Sequence, residues 1–423
     1  MKATQKLGMI ELTGVNIGKL TNKYSLFVYD YFTKGKKRIK FTKRTKNSIL
    51  IPIPAYVGYP EYVRIEQQKR IDYPKKEIAL RDHQKYGLSE LLKNNHGILQ
   101  APAGSGKTHI GCELIRICGV KSVVIVPTID IGKQWVKRFA STIKLQAGFI
   151  GGGNNKVGRQ VTIMTYQSAL KNLDLLAQFG LIFVDESHRT PCKSIRDILA
   201  ACPAYYRYGC TATPWRSDGL HKAMKWLLGG VTAVIDQDMV GEFIKTVDVE
   251  LILTGKYYKD DENIYMQGSI AADIDRNNMI VDKIEENRHH SIICLCNRKS
   301  QIKTLSKLVS GSYRIIDGNT NKQERENIIQ EMREGDNKLL FATYQLASEG
   351  LDIPRLSCLV MASPVGNKTT IEQSCGRIAR VFKDKEKPVV FDFVDSGMIP
   401  ESLLIKRLAT YKKLGYKVKD GEK

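Results

Sequence analysis

Residues 101–108 read Ala-Pro-Ala-Gly-Ser-Gly-Lys-Thr and residues 185–188 read Asp-Glu-Ser-His. The first run is a glycine-rich phosphate loop: Gly104 and Gly106, with Ser105 between them, let the backbone turn its N–H groups toward a β-phosphate, and a helix opening near Lys107 adds its positive end. Lys107 then reaches the β- and γ-phosphates, and the Thr108 hydroxyl is a ligand for Mg²⁺. In the second run Asp185 would hold the metal through water, and Glu186 would accept a proton from the attacking water. Both runs together imply hydrolysis of a nucleoside triphosphate. A solvated turn after a buried strand is the plainer reading of Asp185-Glu186, and the phosphate loop upstream outweighs it.

A second constellation lies far downstream, in Gln373-Ser-Cys-Gly-Arg377-Ile-Ala-Arg380. On a helix these three residues fall at spacings of four and three and share a face. Two guanidiniums aimed together can grip a γ-phosphate as it departs. Arginines on a helix more often meet solvent; the phosphate loop changes that weighting.

Elements to position these groups are legible around them. An apolar strand at 97–101 enters the loop, and 109–117 carries apolar residues at helical spacing. Strands at 122–126, 161–164, 181–184 and 208–210 alternate with helical patterns, which predicts a helix-wrapped parallel sheet with both motifs at strand C-terminal ends. From about Gly229 the pattern restarts, with strands at 249–253, 291–295, 313–316, 338–342, 358–362 and 389–393 but no second phosphate loop. Such a pair of units suits a motor in which the second closes over the triphosphate. Residues 1–78 instead hold short alternating runs that read as a small β-rich module. The boundaries are therefore 1–78, 79–228 and 229–423.

Charge points to a polyanion. The 423-residue chain has 66 Lys+Arg against 44 Asp+Glu, a formal +22, and residues 1–76 hold 17 basic and 5 acidic residues, a net +12. Such a field adds sequence-independent affinity for nucleic acid; the plainer alternative is a solvated basic face that aids solubility. The run 34–46 interleaves Ile39 and Phe41 with Lys36, Lys37, Arg38, Lys40, Lys43 and Arg44, which predicts a basic hairpin with one buried face. The nine cysteines are scattered, several within apolar strands, and show no zinc-ligand spacing. No apolar stretch has signal-peptide length or approaches the roughly 20 residues that span a bilayer. The expectation is no membrane partner and a cytoplasmic place, that of a bacterium or a phage-infected host.

The ordered set of motifs, over about 80–394, resembles the superfamily 2 helicases and translocases. Leu80-Arg81-Asp82-His83-Gln84 resembles their adenine-reading segment, which implies ATP as the nucleotide, with Gln84 on the base edge and Arg81 beside it. Val126-Pro127-Thr128 with Gln134-Trp135, and the segment 162–167 that includes Thr165, resemble motifs that contact the nucleic-acid backbone. Thr211-Ala-Thr213-Pro resembles the motif that couples hydrolysis to strand movement. Ala342-Thr343 and the following 347–354 resemble a further motif, which implies Thr343 on nucleic acid and Gly350 and Asp352 at the nucleotide; 373–380 resembles the closing arginine motif. The implied fold is α/β: two tandem RecA-like parallel-sheet domains preceded by a small β-rich basic N-terminal domain.

Within that superfamily the Leu-Arg-x-x-Gln, Asp-Glu-Ser-His and Thr-Ala-Thr-Pro-Trp-Arg-Ser-Asp-Gly runs resemble the branch of eukaryotic repair helicases and phage UvsW-type branch-migration helicases; the compact length favours the phage kind. Ser217 departs from the repair enzymes' Arg-Glu-Asp element, and Ser374-Cys375 departs where many relatives carry an arginine. His188 either links the acidic motif to Gln373 or satisfies a backbone carbonyl. Trp215 reads as packing before it reads as a base-stacking platform. Three functions remain open: an ATP-driven helicase on duplex, forked or four-way DNA, an RNA helicase, since most contacts go to phosphates, and a nucleotide-switched clamp that separates no strands.

Overall fold

Three strands of five or six residues set the frame of the first unit: His96–Gln100, Leu181–Asp185 and Tyr206–Thr211, buried except for the half-buried His96, Gln100 and Tyr206. Strands buried on both faces need helices on both sides, which is the parallel α/β arrangement. The computed structural model describes residues 2–30, 35–56, 68–215, 218–241, 246–259, 262–336, 338–348, 351 and 353–420. It divides into two units, Met1–Met239 and Val240–Lys423.

The sheet of the first unit has eight strands, in the order Asn154–Lys156, Gly148–Gly151, Val161–Thr165, Ser122–Val126, Leu181–Asp185, Tyr206–Thr211, His96–Gln100 and Val231–Val234. All neighbours are parallel except the first two, which form an antiparallel hairpin. The boundary expected at 228/229 needs correction. Gly229 and Gly230 turn the chain at φ 90° and 78°, and Val231–Val234 then joins the same sheet beside His96–Gln100.

The N-terminal residues are β-rich as expected, but they are not detached from this unit. Lys2–Lys6, Met9–Thr13, Ser48–Pro52 and Lys43–Arg44 form a four-stranded antiparallel sheet, and Ser25–Asp30 pairs with Gly35–Lys40 in a hairpin. So small a sheet has one apolar face to bury. Ile10, Leu12, Ile49, Ile51 and Ile53 bury it in the same core as Phe179, Leu199 and Leu227. The Gly8 amide donates to the Ala200 carbonyl at 3.0 Å, and a Cβ on Gly8 would lie 1.9 Å from the Leu199 carbonyl oxygen. Only glycine permits that approach.

In the second unit seven strands are all parallel, ordered Arg314–Ile316, Leu339–Thr343, Ile292–Cys296, Cys358–Met361, Val389–Ser396, Asp248–Tyr257 and Lys417–Asp420. Two buried ion pairs tie its strands to its helices. Arg276 meets Asp395 through two bonds of 2.7 and 3.0 Å, and Arg407 meets Asp392 at 2.8 Å. Among the described residues no helix is long and apolar enough to cross a membrane. None of the nine cysteines is in a disulfide.

Candidate nucleotide site and nucleic-acid surface

Register brings the motifs of the first unit to one edge. Asp185 lies opposite Cys210, and Thr211 lies opposite Gln100, so the phosphate loop, the acidic pair and the Thr-Ala-Thr run leave three adjacent strands at their C-terminal ends. The Ala101 amide closes this edge by donating to the Thr211 carbonyl at 3.1 Å. The loop curls through Gly104 at φ 84° and Gly106 at φ 86°, and the helix Lys107–Cys118 follows at once. Its first-turn N–H groups have no intrahelical acceptors, which makes the loop an anion cradle. Lys107 Nζ is held over it, donating to the carbonyls of Ala101 at 3.0 Å and Pro102 at 3.1 Å. Ser105 Oγ donates to Pro102 O at 2.8 Å and Thr108 is half-buried on the first turn.

Gln84 is packed onto this loop. Its Nε2 donates to Ser105 O at 3.0 Å, its Oε1 accepts from the Arg81 amide at 3.1 Å, and a Cβ on Gly106 would lie 2.2 Å from Nε2. His83 Nε2 also meets Ser105 O, at 3.1 Å. The adenine-reading segment thus braces the loop through Gln84, while Arg81 is exposed at the helix start. His109, one residue past Thr108, is drawn down to about 4 by burial and by the nearby Arg138 and Arg81 charges, so it is neutral near pH 7.

Asp185 is buried and firmly oriented. Trp135 Nε1 donates to its Oδ2 at 2.8 Å, the Glu186 amide to Oδ1 at 2.9 Å and the Cys210 thiol to Oδ1 at 3.2 Å. Burial, and then the Glu186 charge, raises the Asp185 pKa. Burial acts against ionisation of Glu186 as well, but the His188 hydrogen bond and the Lys107, His188 and Arg189 charges outweigh it and hold that carboxyl low. The two acids are thereby pushed apart, which is the pattern that separates roles in an active site. Glu186 adopts φ 51°, a left-handed backbone rarely taken by a residue with a Cβ.

His188 Nδ1 lies 3.2 Å from Glu186 Oε2 and 3.1 Å from Thr211 Oγ1. A carboxylate only accepts, so Nδ1 carries the proton. Thr211 Oγ1 donates in turn to Thr213 O and accepts from the Thr213 amide, both at 3.1 Å. The three residues expected to couple hydrolysis to movement, His188, Thr211 and Thr213, thus form one chain that starts on Glu186. At Nδ1 the partner is neither of the two anticipated, since carboxylate and hydroxyl both lie within the first unit.

Several expectations need correction. Trp135, read as part of a backbone-contacting motif, is 1% exposed, with its ring 5.3 Å from Phe183, and its polar atom serves Asp185. Pro127 and Thr165 are buried as well. The Thr128 and Thr165 hydroxyls cap helices, accepting from the Ile131 and Ser168 amides, and Thr128 is half-buried. Trp215 is 62% exposed, with the His221 ring 4.9 Å from its own, which is not the packing role expected.

In the second unit the helix Lys368–Ile378 carries Gln373, half-buried, and Arg377, buried. Arg380 lies beyond the C-cap Ala379, so the shared helical face holds for Gln373 and Arg377 and does not extend to Arg380. Arg377 Nη1 donates to the Leu351 carbonyl. Thr343 ends its strand half-buried. Gly350 and Asp352, like Arg216 and Ser217, lie outside the described residues.

The expected basic surface is present. Lys36, Lys37, Arg38, Lys40, Lys43 and Arg44 are all exposed, Ile39 is half-buried and Phe41 is buried. The Phe41 and Tyr24 rings pack on Trp226 at 5.5 and 5.4 Å, and Arg196 Nη1 donates to Lys40 O at 2.8 Å. Sequence reasoning missed Trp135, Cys210, Trp226 and Arg196 as supporting residues; the partners named here lie 25 to about 200 positions away, and nothing local announces them.

A phosphate loop with its acidic pair on one RecA-like unit, followed by a second such unit without a loop, defines a nucleotide-driven motor class. Residues 77–216 match the type III restriction enzyme res subunit family, and residues 275–382 match the helicase conserved C-terminal domain family. The DNA 3'-5' translocase XPB2 of Sulfurisphaera tokodaii is 29% identical over 370 residues, covering 76% of this chain and 83% of its own. The ATP-dependent DNA helicase uvsW of Enterobacteria phage T4 is 24% identical over 370 residues, covering 80% and 73%. The solved structure of S. cerevisiae Dbp5 aligns with a TM-score of 0.59 at 18% identity, covering 80% of this chain and 89% of that one, a likeness of fold. The chain belongs to superfamily 2 and is an ATP-dependent helicase or translocase of that superfamily.

Proposed function

We propose that this protein is a DNA helicase that uses ATP hydrolysis to translocate on duplex and branched DNA, and to unwind or branch-migrate it, in recombination, repair or replication. The observation that carries the reading is the continuous hydrogen-bonded path from Glu186 through His188 to Thr211 and Thr213, because it ties the water-activating carboxylate to the segment that would sense strand position. DNA is the polymer named for both relatives above. The exposed lysines and arginines at 36–44 suit its backbone.

In this reading Lys107 and the loop amides bind the phosphates, while Gln84 and Arg81 face the adenine side. The donor set fits Mg²⁺: a buried, oriented carboxylate on Asp185 and the Thr108 hydroxyl are hard oxygen groups, and Mg²⁺ characteristically takes one or two carboxylates plus substrate phosphates. Bound there, Mg²⁺ would neutralise charge developing between the β- and γ-phosphates. Glu186, kept ionised, takes the proton of the attacking water. Gln373, Arg377 and Arg380 are assigned to the transferring phosphate, and Thr343, Gly350 and Asp352 keep the roles their motif implies.

The test is ATP turnover measured with single-stranded, duplex, forked and four-way DNA and with RNA. Strongest stimulation by forked or four-way DNA is the expected outcome. Stimulation by RNA alone would reassign the substrate.

A further inference from the structure

Strand period decides what the Ser25–Asp30 hairpin shows to solvent. Successive side chains alternate faces, so Leu26 and Val28 share one side with Ile39, and all three pack against the core of the first unit. The other side carries Ser25, Phe27 and Tyr29, paired across the hairpin with Lys40, Arg38 and Lys36. Phe27 is 65% exposed and Tyr29 53% exposed, and the three cations beside them are exposed too. That face holds two large aromatic rings, three positive charges and no acid. The Arg38 guanidinium lies 5.9 Å from the Phe27 ring centroid and reaches Asn22 Oδ1, which holds cation and ring side by side.

Two features choose the occupant. Rings two residues apart on a strand are spaced by about 7 Å. Bases in a duplex are stacked about 3.4 Å apart along each strand and have no free face to offer, whereas an unpaired, extended strand offers one face per base together with a phosphate for each cation. The platform is also anchored: Phe41 and Tyr24 clasp Trp226, and Arg196 holds Lys40 O, all within the unit that carries the phosphate loop. A strand held there would follow that unit.

We propose that the outer face of this hairpin is a binding platform for an unpaired nucleic-acid strand, with bases stacked on Phe27 and Tyr29 and phosphates on Lys36, Arg38 and Lys40. This rests on the helicase reading above and deepens it by naming the strand state that the N-terminal face recognises.

The experiment titrates the full-length protein and its F27L/Y29L variant against a fluorescently labelled single-stranded oligonucleotide and a blunt duplex of the same length, by anisotropy, across a salt series. The variant should lose about 10-fold or more in single-strand affinity, since each stacked base contributes at least several-fold. Duplex affinity should change less than about twofold and the salt slope should hold, because no phosphate contact is removed. Unchanged melting temperature guards against misfolding, and both rings are exposed. Unchanged single-strand affinity, or equal losses on single strand and duplex, overturns the platform. Wild-type ATP turnover that no nucleic acid stimulates would overturn the helicase reading instead, so the two failures are separable.

Discussion

The indole N–H of Trp135 donates a 2.8 Å hydrogen bond to Oδ2 of Asp185 across 50 positions of sequence. Gly111 makes room for it, since a Cβ there would meet the Trp135 ring at 2.5 Å. The tryptophan lies on the helix Ile129–Ile143 and fixes the carboxylate through its one polar atom.

Trp135→Phe keeps an aromatic ring at this buried position but removes the pyrrole part of the indole with its N–H donor. Loss of a group that orients a metal-holding carboxylate weakens metal affinity or activity by roughly 10-fold or more. The expected result is a higher Mg²⁺ concentration for half-maximal ATP turnover, measured at a temperature where the variant, its melting temperature lowered by the smaller ring, is still fully folded. An unchanged Mg²⁺ titration would mean that Asp185 needs no orienting partner.

Glu186 is held low by His188, Lys107 and Arg189 against the effect of burial, so its base form exists above the ordinary carboxylate range and disappears only as pH falls through the depressed value. His188→Ala removes the hydrogen bond and moves that acid limb upward in pH. His109, already neutral above about 4, adds no limb near neutrality. The check is a kcat–pH profile of both proteins; coincident acid limbs would separate His188 from Glu186.

Arg380 lies past its helix, while Arg377 is engaged by the Leu351 carbonyl. Arg380→Ala tests the proposed transition-state ligand and should lower turnover by about 10³-fold. Nucleotide affinity, followed with a fluorescent ATP analogue, should fall much less. Equal losses in both would make it a ground-state ligand.

Arg276→Met leaves Asp395 buried beside Thr254 without its cation. Breaking such a pair costs about 3–5 kcal/mol. Urea unfolding of the second unit should register it, and a loss under 1 kcal/mol would mean that the carboxylate finds water or takes up a proton.

The motifs were legible because each is a short contiguous run whose chemistry is local: Gly104 and Gly106 have the positive φ that their place in the loop demands, and Asp185 ends the strand where alternation had put it. The inward turn of Ile39 and Phe41 among exposed cations was legible, but the run is not a hairpin of its own: Gly35–Lys40 pairs with Ser25–Asp30, and Lys43–Arg44 pairs with Ser48–Pro52 in another sheet. What the sequence withheld depends on long-range packing. Nothing near Gly8 or Leu12 says which core they join, and Val231–Val234 is a four-residue, partly exposed strand that follows two glycines and looks like a break. The helix bearing Arg377 ends at Ile378 without a glycine or proline to mark it, so the spacing argument ran on to Arg380.

The central claim is that Glu186 activates the water that powers the motor. Glu186→Gln keeps the shape and removes the base, so the most direct measurement pairs ATP binding with DNA-stimulated turnover in this variant. Binding should stay within about threefold of wild type while turnover falls by about 10² or more, the usual contribution of a positioned base. Near-normal stimulated turnover by the variant would contradict the assignment of the site.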